Sequence, residues 1–197
     1  ADVRIADGVV AEVGFGLLSS DGEQVVDATG MVVSPGFVDL HVHLREPGRE
    51  EAETIETGSR GAALGGFTAI VAMPNTNPTQ DSVGVIEFVR QQGERAGLCE
   101  VLPSGSITIG RKGETLTPFA ELAAAGVRLF TDDGNGVQDP QLMRRAYEYA
   151  SDLGITMAQH CEVERLTEGA VMHEGSCCSH LGLPGWPSLA EELMVHR

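Results

Sequence analysis

The stretch that decides the fold reads MVVSPGFVDLHVH and occupies residues 31–43. Its apolar and β-branched residues predict a buried strand over Met31–Val42. Side chains on a strand alternate between its two faces, so His41 and His43 point the same way. Two imidazoles at the end of a buried strand can hold one metal ion. The pattern fits two histidines on a polar strand face equally well, so it does not decide the matter alone.

Outward from this stretch, apolar strand candidates alternate with helix candidates, and a glycine follows each helix. We predict further strands at Phe67–Met73, Glu100–Leu102, Val127–Thr131 and Ile155–His160, and helices at about Glu51–Leu64, Gln80–Ala96, Pro118–Ala125 and Asp139–Leu153. About five βα units of this kind predict an α/β fold with a parallel sheet. We interpret them as an incomplete (β/α)8 TIM-type barrel, because a complete barrel has eight units. An open doubly wound sheet is the alternative, although no GxGxxG or P-loop motif follows any strand.

The segment before residue 31 has a different character. Short strand candidates at Asp2–Ile5, Val9–Val13 and Gln24–Asp27 are separated by turn residues such as Asp-Gly. We therefore predict two domains, with residues 1–30 as part of a small β-sandwich subdomain and residues 31–197 as the barrel portion. Residues 162–185 are predicted to form a long irregular loop over one end of the barrel.

The composition limits the partners of the chain. Its 197 residues include 13 basic and 29 acidic side chains, which gives a formal net charge of −16. A chain this acidic is expected to repel nucleic acid and anionic lipid, so we expect neither as a partner. No apolar run approaches the roughly 20 residues that span a bilayer. The four cysteines contain no CxxC pair and fit free thiols, so we expect a cytoplasmic protein.

Metal-type ligands follow three of the predicted strands. His41 and His43 end the first, Asp132 and Asp133 follow the fourth, and His160 ends the fifth. Because the active sites of parallel barrels lie at the carboxyl ends of their strands, we interpret these residues as one shared metal site. Taken singly, each has a plainer explanation, since Asp-Asp-Gly is turn chemistry and a lone histidine fits a satisfied core position.

Five short motifs follow one another along the chain. They are VSPGFVDLHVHLREPG at residues 33–48, ETIETG at 53–58, AMPNT at 72–76, FTDDG at 130–134 and QHCE at 159–162. In this order they resemble the amidohydrolase superfamily in its dihydroorotase branch. HxH alone is shared by many hydrolases, whereas HLREPG, MPNT and TDDG together are much more specific. The resemblance covers essentially the whole chain and implies that residues 31–197 are the N-terminal portion of a metal-dependent hydrolase barrel.

The resemblance implies a centre of two zinc ions and assigns its ligands residue by residue. His41 and His43 would bind the first metal, Asp133 would bridge both metals, and His160 would bind the second. Two cations activate water and polarise the carbonyl group under attack. The spacing alone leaves Asp132 as an alternative to Asp133.

The same resemblance assigns Arg45 and Asn75 to the free carboxylate of the substrate, a role that suits the guanidinium fork. From the residues alone, Arg45 equally fits a surface salt bridge and Asn75 fits a turn. Hydantoinases and allantoinases resemble the chain but bridge their metals with a carboxylated lysine. The one lysine here, Lys112, lies before the predicted fourth strand, while Asp133 stands at the bridging position. This favours the branch that bridges with aspartate.

The family also needs a histidine on a sixth strand and a catalytic aspartate on an eighth. Neither can be assigned here, so the catalytic residue is unknown and is expected beyond Arg197. We therefore expect the chain to be the N-terminal part of an enzyme and to be inactive by itself.

The implied reaction is the reversible cyclisation of N-carbamoyl-L-aspartate to L-dihydroorotate in pyrimidine biosynthesis. One alternative is another cyclic amidohydrolase, such as an allantoinase or a hydantoinase. The other is a non-catalytic scaffold subunit of aspartate transcarbamoylase. The expected partners are a small-molecule substrate and either a second copy in a homodimer or aspartate transcarbamoylase.

Overall fold

A computed structural model describes residues 1–197, and the chain divides into two compact units, Ala1–Pro35 and Gly36–Arg197. This division falls five residues after the predicted boundary at residue 30. The reason is that residues 31–36 form no strand, and the first strand of the second unit begins at Phe37. None of the helices has the length and apolar content that crossing a bilayer requires.

The first unit is built on one antiparallel hairpin of β1 (Asp2–Ala6) and β2 (Val9–Gly14). Asp7 and Gly8 form its two-residue turn with φ angles of 51° and 77°. Two successive positive φ angles match the twist of the flanking strands and are typical of Asn-Gly and Asp-Gly turns. The third predicted strand, Gln24–Asp27, is absent, because this segment finds no neighbouring strand to pair with.

The second unit contains parallel strands whose order in space follows their order in the chain. They are β3 (Phe37–Val42), β4 (Phe67–Ala72), β5 (Glu100–Pro103), β6 (Leu129–Thr131) and β7 (Thr156–Ala158). The first three form one sheet and the last two another. A parallel bridge from Gly105 to Phe130 continues the pairing from the end of β5 to β6. All the carboxyl ends consequently lie at the same edge.

Helices connect these strands. They are α1 (Ile55–Leu64), α2 (Val83–Ala96), α3 (Phe119–Ala124) and α4 (Pro140–Leu153), with a 3-10 turn at Ile109–Arg111 before α3. The Asp139 side chain caps α4 by accepting hydrogen bonds from the N–H groups of Gln141 and Leu142. Such caps satisfy the first helical N–H groups, which have no partner inside the helix.

Two apolar clusters pack between strands and helices. The larger joins buried side chains of α2, α3, β6, α4 and the segments that connect them, namely Ile86, Ile107, Phe119, Leu122, Val127, Phe130, Val137, Met143 and Ala146. The smaller lies between the β3–β5 sheet and helices α1 and α2, and consists of Leu44, Ile55, Ile70, Ala72, Val89 and Val101. Packing in these clusters holds β3, β6 and β7 in place, so the residues that follow each strand start from fixed positions.

The prediction of an irregular loop over residues 162–185 is wrong in part. This region and the residues after it contain short elements, namely α5 (Glu164–Thr167), β8 (Met172–His173), α6 (Ser176–Leu181), β9 (Gly185–Trp186) and α7 (Leu189–His196). Strands β8 and β9 pair in parallel. The four elements α5, β8, α6 and β9 are only two to six residues long. Segments this short show no periodic pattern in the sequence.

Candidate metal centre

The predicted ligands come together at the carboxyl edge of the parallel strands. His43 follows the last residue of β3, Asp133 lies two residues after β6, and His160 lies two residues after β7. Ligand atoms of His41, His43 and Asp133 lie within 4.8 Å of one another. The arrangement therefore joins residues that are about 90 positions apart in the chain, as the barrel interpretation requires.

The carboxylate of Asp133 is the centre of this group. Its Oδ1 lies 3.2 Å from His41 Nε2 and 3.5 Å from His160 Nδ1, and its Oδ2 lies 3.5 Å from His43 Nε2. The residue is 5% exposed, whereas His43 and His160 are half-buried and His41 is open to solvent. One buried carboxylate thus contacts three imidazoles, and each of its oxygens faces at least one of them.

These distances suit metal ligands better than hydrogen bonds. Charge-assisted N–H···O bonds are usually about 2.7–2.9 Å long, which is shorter than any of the three contacts. Zinc bonds of about 2.0–2.1 Å in a tetrahedral centre place neighbouring ligand atoms about 3.3 Å apart. Imidazole nitrogen with carboxylate oxygen is a donor set that zinc accepts, and manganese, cobalt and iron accept it too. The residues therefore fit divalent metal ions in chemistry and spacing.

The two neighbouring aspartates have different surroundings, which separates the alternatives that spacing leaves open. Asp132 is fully buried and turns away from the histidines. Its carboxylate accepts hydrogen bonds from the backbone N–H of Thr108, at 3.0 Å, and from the Thr108 hydroxyl. Burial raises the pKa of Asp132, and the Thr108 hydrogen bonds oppose that shift. Asp132 holds the 108–113 loop in place, and Asp133 is the one that faces the imidazoles.

The backbone around Asp133 is held by contacts to segments that follow both neighbouring strands. Arg111 Nη1 donates to the carbonyl oxygen of Asp133 at 2.6 Å. The Gln159 amide pairs with the backbone N–H and carbonyl of Val137, each at 3.1 Å. Gly136 has a φ of 68°, and a Cβ there would lie 2.6 Å from the His160 carbonyl oxygen. Only glycine allows the loop after β6 to pass this close to His160.

Two of the imidazoles also have partners on their far sides. His43 Nδ1 lies 3.0 Å from Asn75 Oδ1, and His160 Nε2 lies 3.0 Å from Glu162 Oε2. Sequence reasoning assigned Asn75 to the substrate and gave Glu162 no role. The only signal for Glu162 was its place in the QHCE motif, two residues after His160.

Arg45 follows His43 by two residues and is half-buried. Its guanidinium makes no hydrogen bond or ion pair with the protein, and its φ angle is 61°. A positive φ is unusual for a residue with a side chain and often marks a functional position. The Arg45 charge is therefore available near the site, and the Asn75 side chain contacts His43, which is a predicted metal ligand.

A family model described as dihydro-orotase-like matches residues 30–197. The chain belongs to the dihydroorotase-like family. Among curated relatives, dihydroorotase from Mycobacterium tuberculosis is 54% identical over 198 aligned residues, and dihydroorotase from Streptomyces coelicolor is 49% identical over 198. Both matches cover 100% of this chain and 46% of the relative, so the chain spans less than half the length of the relatives it matches.

Solved structures share the fold of this dihydroorotase-like chain. An L-hydantoinase (dihydropyrimidinase) from Arthrobacter aurescens superposes with a TM-score of 0.69 at 21% identity, over 84% of this chain and 38% of that one. A D-hydantoinase gives a TM-score of 0.61 at 23% identity, over 84% and 37%. At this identity the likeness concerns the fold and not the substrate.

Proposed function

We propose that the full-length protein is a zinc-dependent dihydroorotase, which interconverts N-carbamoyl-L-aspartate and L-dihydroorotate in pyrimidine biosynthesis. The observation that carries this proposal is the convergence of three imidazoles on the Asp133 carboxylate in a chain of the dihydroorotase-like family. The identity of 45–54% to curated relatives named dihydroorotase supports the choice of substrate.

The architecture we propose is an incomplete (β/α)8 barrel formed by the second unit, with the first unit as part of a small β-sandwich subdomain. Five parallel strands that neighbour one another in chain order support the barrel. A doubly wound sheet reverses its strand order at a switch point, and no reversal occurs from β3 to β7. The position of the ligands at the carboxyl edge is the usual place of a barrel active site.

Within this site, His41 and His43 would hold the first zinc ion, Asp133 would be shared by the two ions, and His160 would hold the second. Asp133 suits the bridging role because its buried carboxylate lies within 3.5 Å of ring nitrogens of all three histidines, and each of its oxygens faces at least one of them. When bound, such ions lower the pKa of water and polarise the carbonyl group that is attacked. The remaining chemistry of this chain consists of orienting the ligands and binding the substrate.

Arg45 and Asn75 bind the free α-carboxylate of the substrate. Arg45 is suited to this because its guanidinium is unpaired and next to the site. Asn75 uses its Oδ1 toward His43, which leaves its amide N–H groups to donate to a carboxylate oxygen. Both contacts neutralise or orient the end of the substrate that does not react, so that the ureido nitrogen and the side-chain carboxyl carbon are held together for ring closure.

In the ring-closing direction, a bond forms between the ureido nitrogen and the carboxyl carbon, and one water molecule leaves. The reverse reaction adds that water across the same amide bond. Both directions need a group that transfers a proton at the nitrogen and at the water. By resemblance this group is an aspartate on an eighth barrel strand, which the parallel strands β3 to β7 do not include. We therefore expect residues 1–197 alone to be inactive.

A hydantoinase-type substrate is the competing proposal within the family. Hydantoinases bridge their metals with a carboxylated lysine, whereas Lys112 of this chain is exposed and belongs to the loop after β5. The decisive assay supplies zinc-loaded full-length protein with N-carbamoyl-L-aspartate, L-dihydroorotate, hydantoin and allantoin in parallel. Turnover of the first two at about 1 per second or more supports the proposal. Faster turnover of hydantoin or allantoin contradicts it.

The third possibility is a non-catalytic scaffold subunit of aspartate transcarbamoylase. All four metal ligands expected within residues 1–197 are present, which argues for an enzyme. We place the protein in the cytoplasm, with a small-molecule substrate and a homodimer or aspartate transcarbamoylase as its assembly. The metal content of the full-length protein separates the roles, because an enzyme carries two zinc ions per chain and a scaffold carries none.

A further inference from the structure

The His160 ring is held on both of its nitrogen atoms. Its Nδ1 lies 3.5 Å from Asp133 Oδ1, on the side of the metal centre. Its Nε2 lies 3.0 Å from Glu162 Oε2, on the opposite side. A carboxylate can only accept a hydrogen bond, so Nε2 carries the proton of the neutral imidazole and Nδ1 of that neutral ring keeps its lone pair. Glu162 therefore selects the tautomer that can bind a metal through Nδ1.

Glu162 is itself fixed by a second residue. Its other oxygen, Oε1, accepts a hydrogen bond of 2.5 Å from the Thr167 hydroxyl. Thr167 is 7% exposed and is the last residue of α5. The backbone carbonyl of Glu162 also accepts a hydrogen bond from Gln138 Nε2 at 3.0 Å. Both carboxylate oxygens are therefore in contact, one with the His160 ring and the other with the Thr167 hydroxyl at the end of α5.

The arrangement around His160 differs from the one around His43. His43 presents Nε2 to Asp133 and keeps Nδ1 against the neutral amide oxygen of Asn75. His160 presents Nδ1 and has an acidic partner instead. A carboxylate partner makes an imidazole a more basic ligand than an amide partner does. His43 and His160 therefore differ in the ring nitrogen that they present to Asp133 and in the charge of the residue on their far side.

We infer that Glu162, held by Thr167, is the positioning residue for His160 and controls the affinity of the second metal position. This inference rests on the proposed function, since it concerns the two-metal site. It makes α5 part of the metal centre, although none of its residues touches the ligands directly.

The test measures the affinities of the two metal ions in full-length protein by zinc titration against a chelator and by the absorption bands of the cobalt(II) form. Glu162→Ala should lower the affinity for the ion next to His160 by about 10- to 100-fold, which is the usual effect of removing such a partner. The affinity for the other ion should not change. Glu162→Gln should lose less metal affinity, because its amide oxygen still accepts a hydrogen bond from His160 Nε2. The cobalt bands of one site only should shift.

Glu164→Gln is the matched control, because Glu164 is exposed, carries the same charge and does not contact His160. It should leave both affinities unchanged. If Glu162→Ala does not fold, Thr167→Val and Thr167→Ser decide: weaker binding of one ion in the valine variant, restored in the serine variant, supports the inference, and unchanged affinity in both overturns it.

The outcomes also separate the inference from the proposed function. A wild-type protein that binds two ions, with the same two affinities in Glu162→Ala, contradicts the inference alone. A wild-type protein that binds no divalent metal contradicts the proposed function and the inference together.

Discussion

The neighbouring carboxylates Asp132 and Asp133 are expected to have separable roles, and alanine substitutions test this directly. Asp132→Ala leaves the buried N–H and hydroxyl of Thr108 without their acceptor. Each orphaned buried donor costs about 1–3 kcal/mol, and removing the buried carboxylate offsets part of that, so we expect a net loss of about 2 kcal/mol. Asp133 contacts only imidazoles through its carboxylate, so Asp133→Ala should change the free energy of unfolding of metal-free protein by less than about 1 kcal/mol.

Metal binding should show the opposite pattern. Asp133→Ala removes the carboxylate that faces all three imidazoles, and the number of bound zinc ions should fall from two to at most one. Asp132→Ala should retain two. The assay combines urea unfolding of chelator-treated protein, followed by circular dichroism, with the metal content of dialysed protein. Loss of zinc in Asp132→Ala together with full retention in Asp133→Ala would refute the assignment.

Three further substitutions test the fold and the substrate site. Phe130→Ala should destabilise the protein by about 3–5 kcal/mol in the same urea assay, because Phe130 is fully buried against Phe119. Leu64 is 85% exposed, so the control variant Leu64→Ala should change the free energy of unfolding by no more than about 0.5 kcal/mol. Asp139→Ala removes the cap of α4 and should cost about 0.5–2 kcal/mol in thermal or urea unfolding; no change would show that the cap is not formed in solution. Arg45→Gln should lower kcat/KM for N-carbamoyl-L-aspartate by about 10- to 100-fold, from a charged hydrogen bond of about 1.5–3 kcal/mol, while metal content stays the same; loss of metal instead would place Arg45 in the metal centre.

The sequence predicts the elements of the second unit well where the pattern is long. Helices α2 and α4 begin within three residues of their predicted starts and end where Gly97 and Gly154 adopt left-handed conformations. The predicted first strand is too long, since Ser34-Pro35-Gly36 interrupts it and pairing begins only at Phe37. Proline lacks an N–H donor, so it is a poor strand residue, and this signal was present in the sequence.

The candidate site is predictable in its residues and not in its contacts. The positions of His41, His43 and His160 at strand ends, together with the family resemblance, predict that these residues lie close together, because parallel strands share a carboxyl edge. The choice between Asp132 and Asp133 depends on which carboxylate Thr108 captures, a contact across 24 positions. Side-chain direction and long-range hydrogen bonds decide such pairs, and neither leaves a trace in residue spacing.

We propose that Asp133 lies between two metal ions held by histidines from different strands. Crystals of the zinc-loaded full-length protein, with diffraction data collected on both sides of the zinc absorption edge, test it most directly. We expect two anomalous peaks, one beside His41 and His43 and one beside His160, with the Asp133 carboxylate between them. A map without peaks at this edge of the sheet, or with metal bound away from Asp133, would contradict the account.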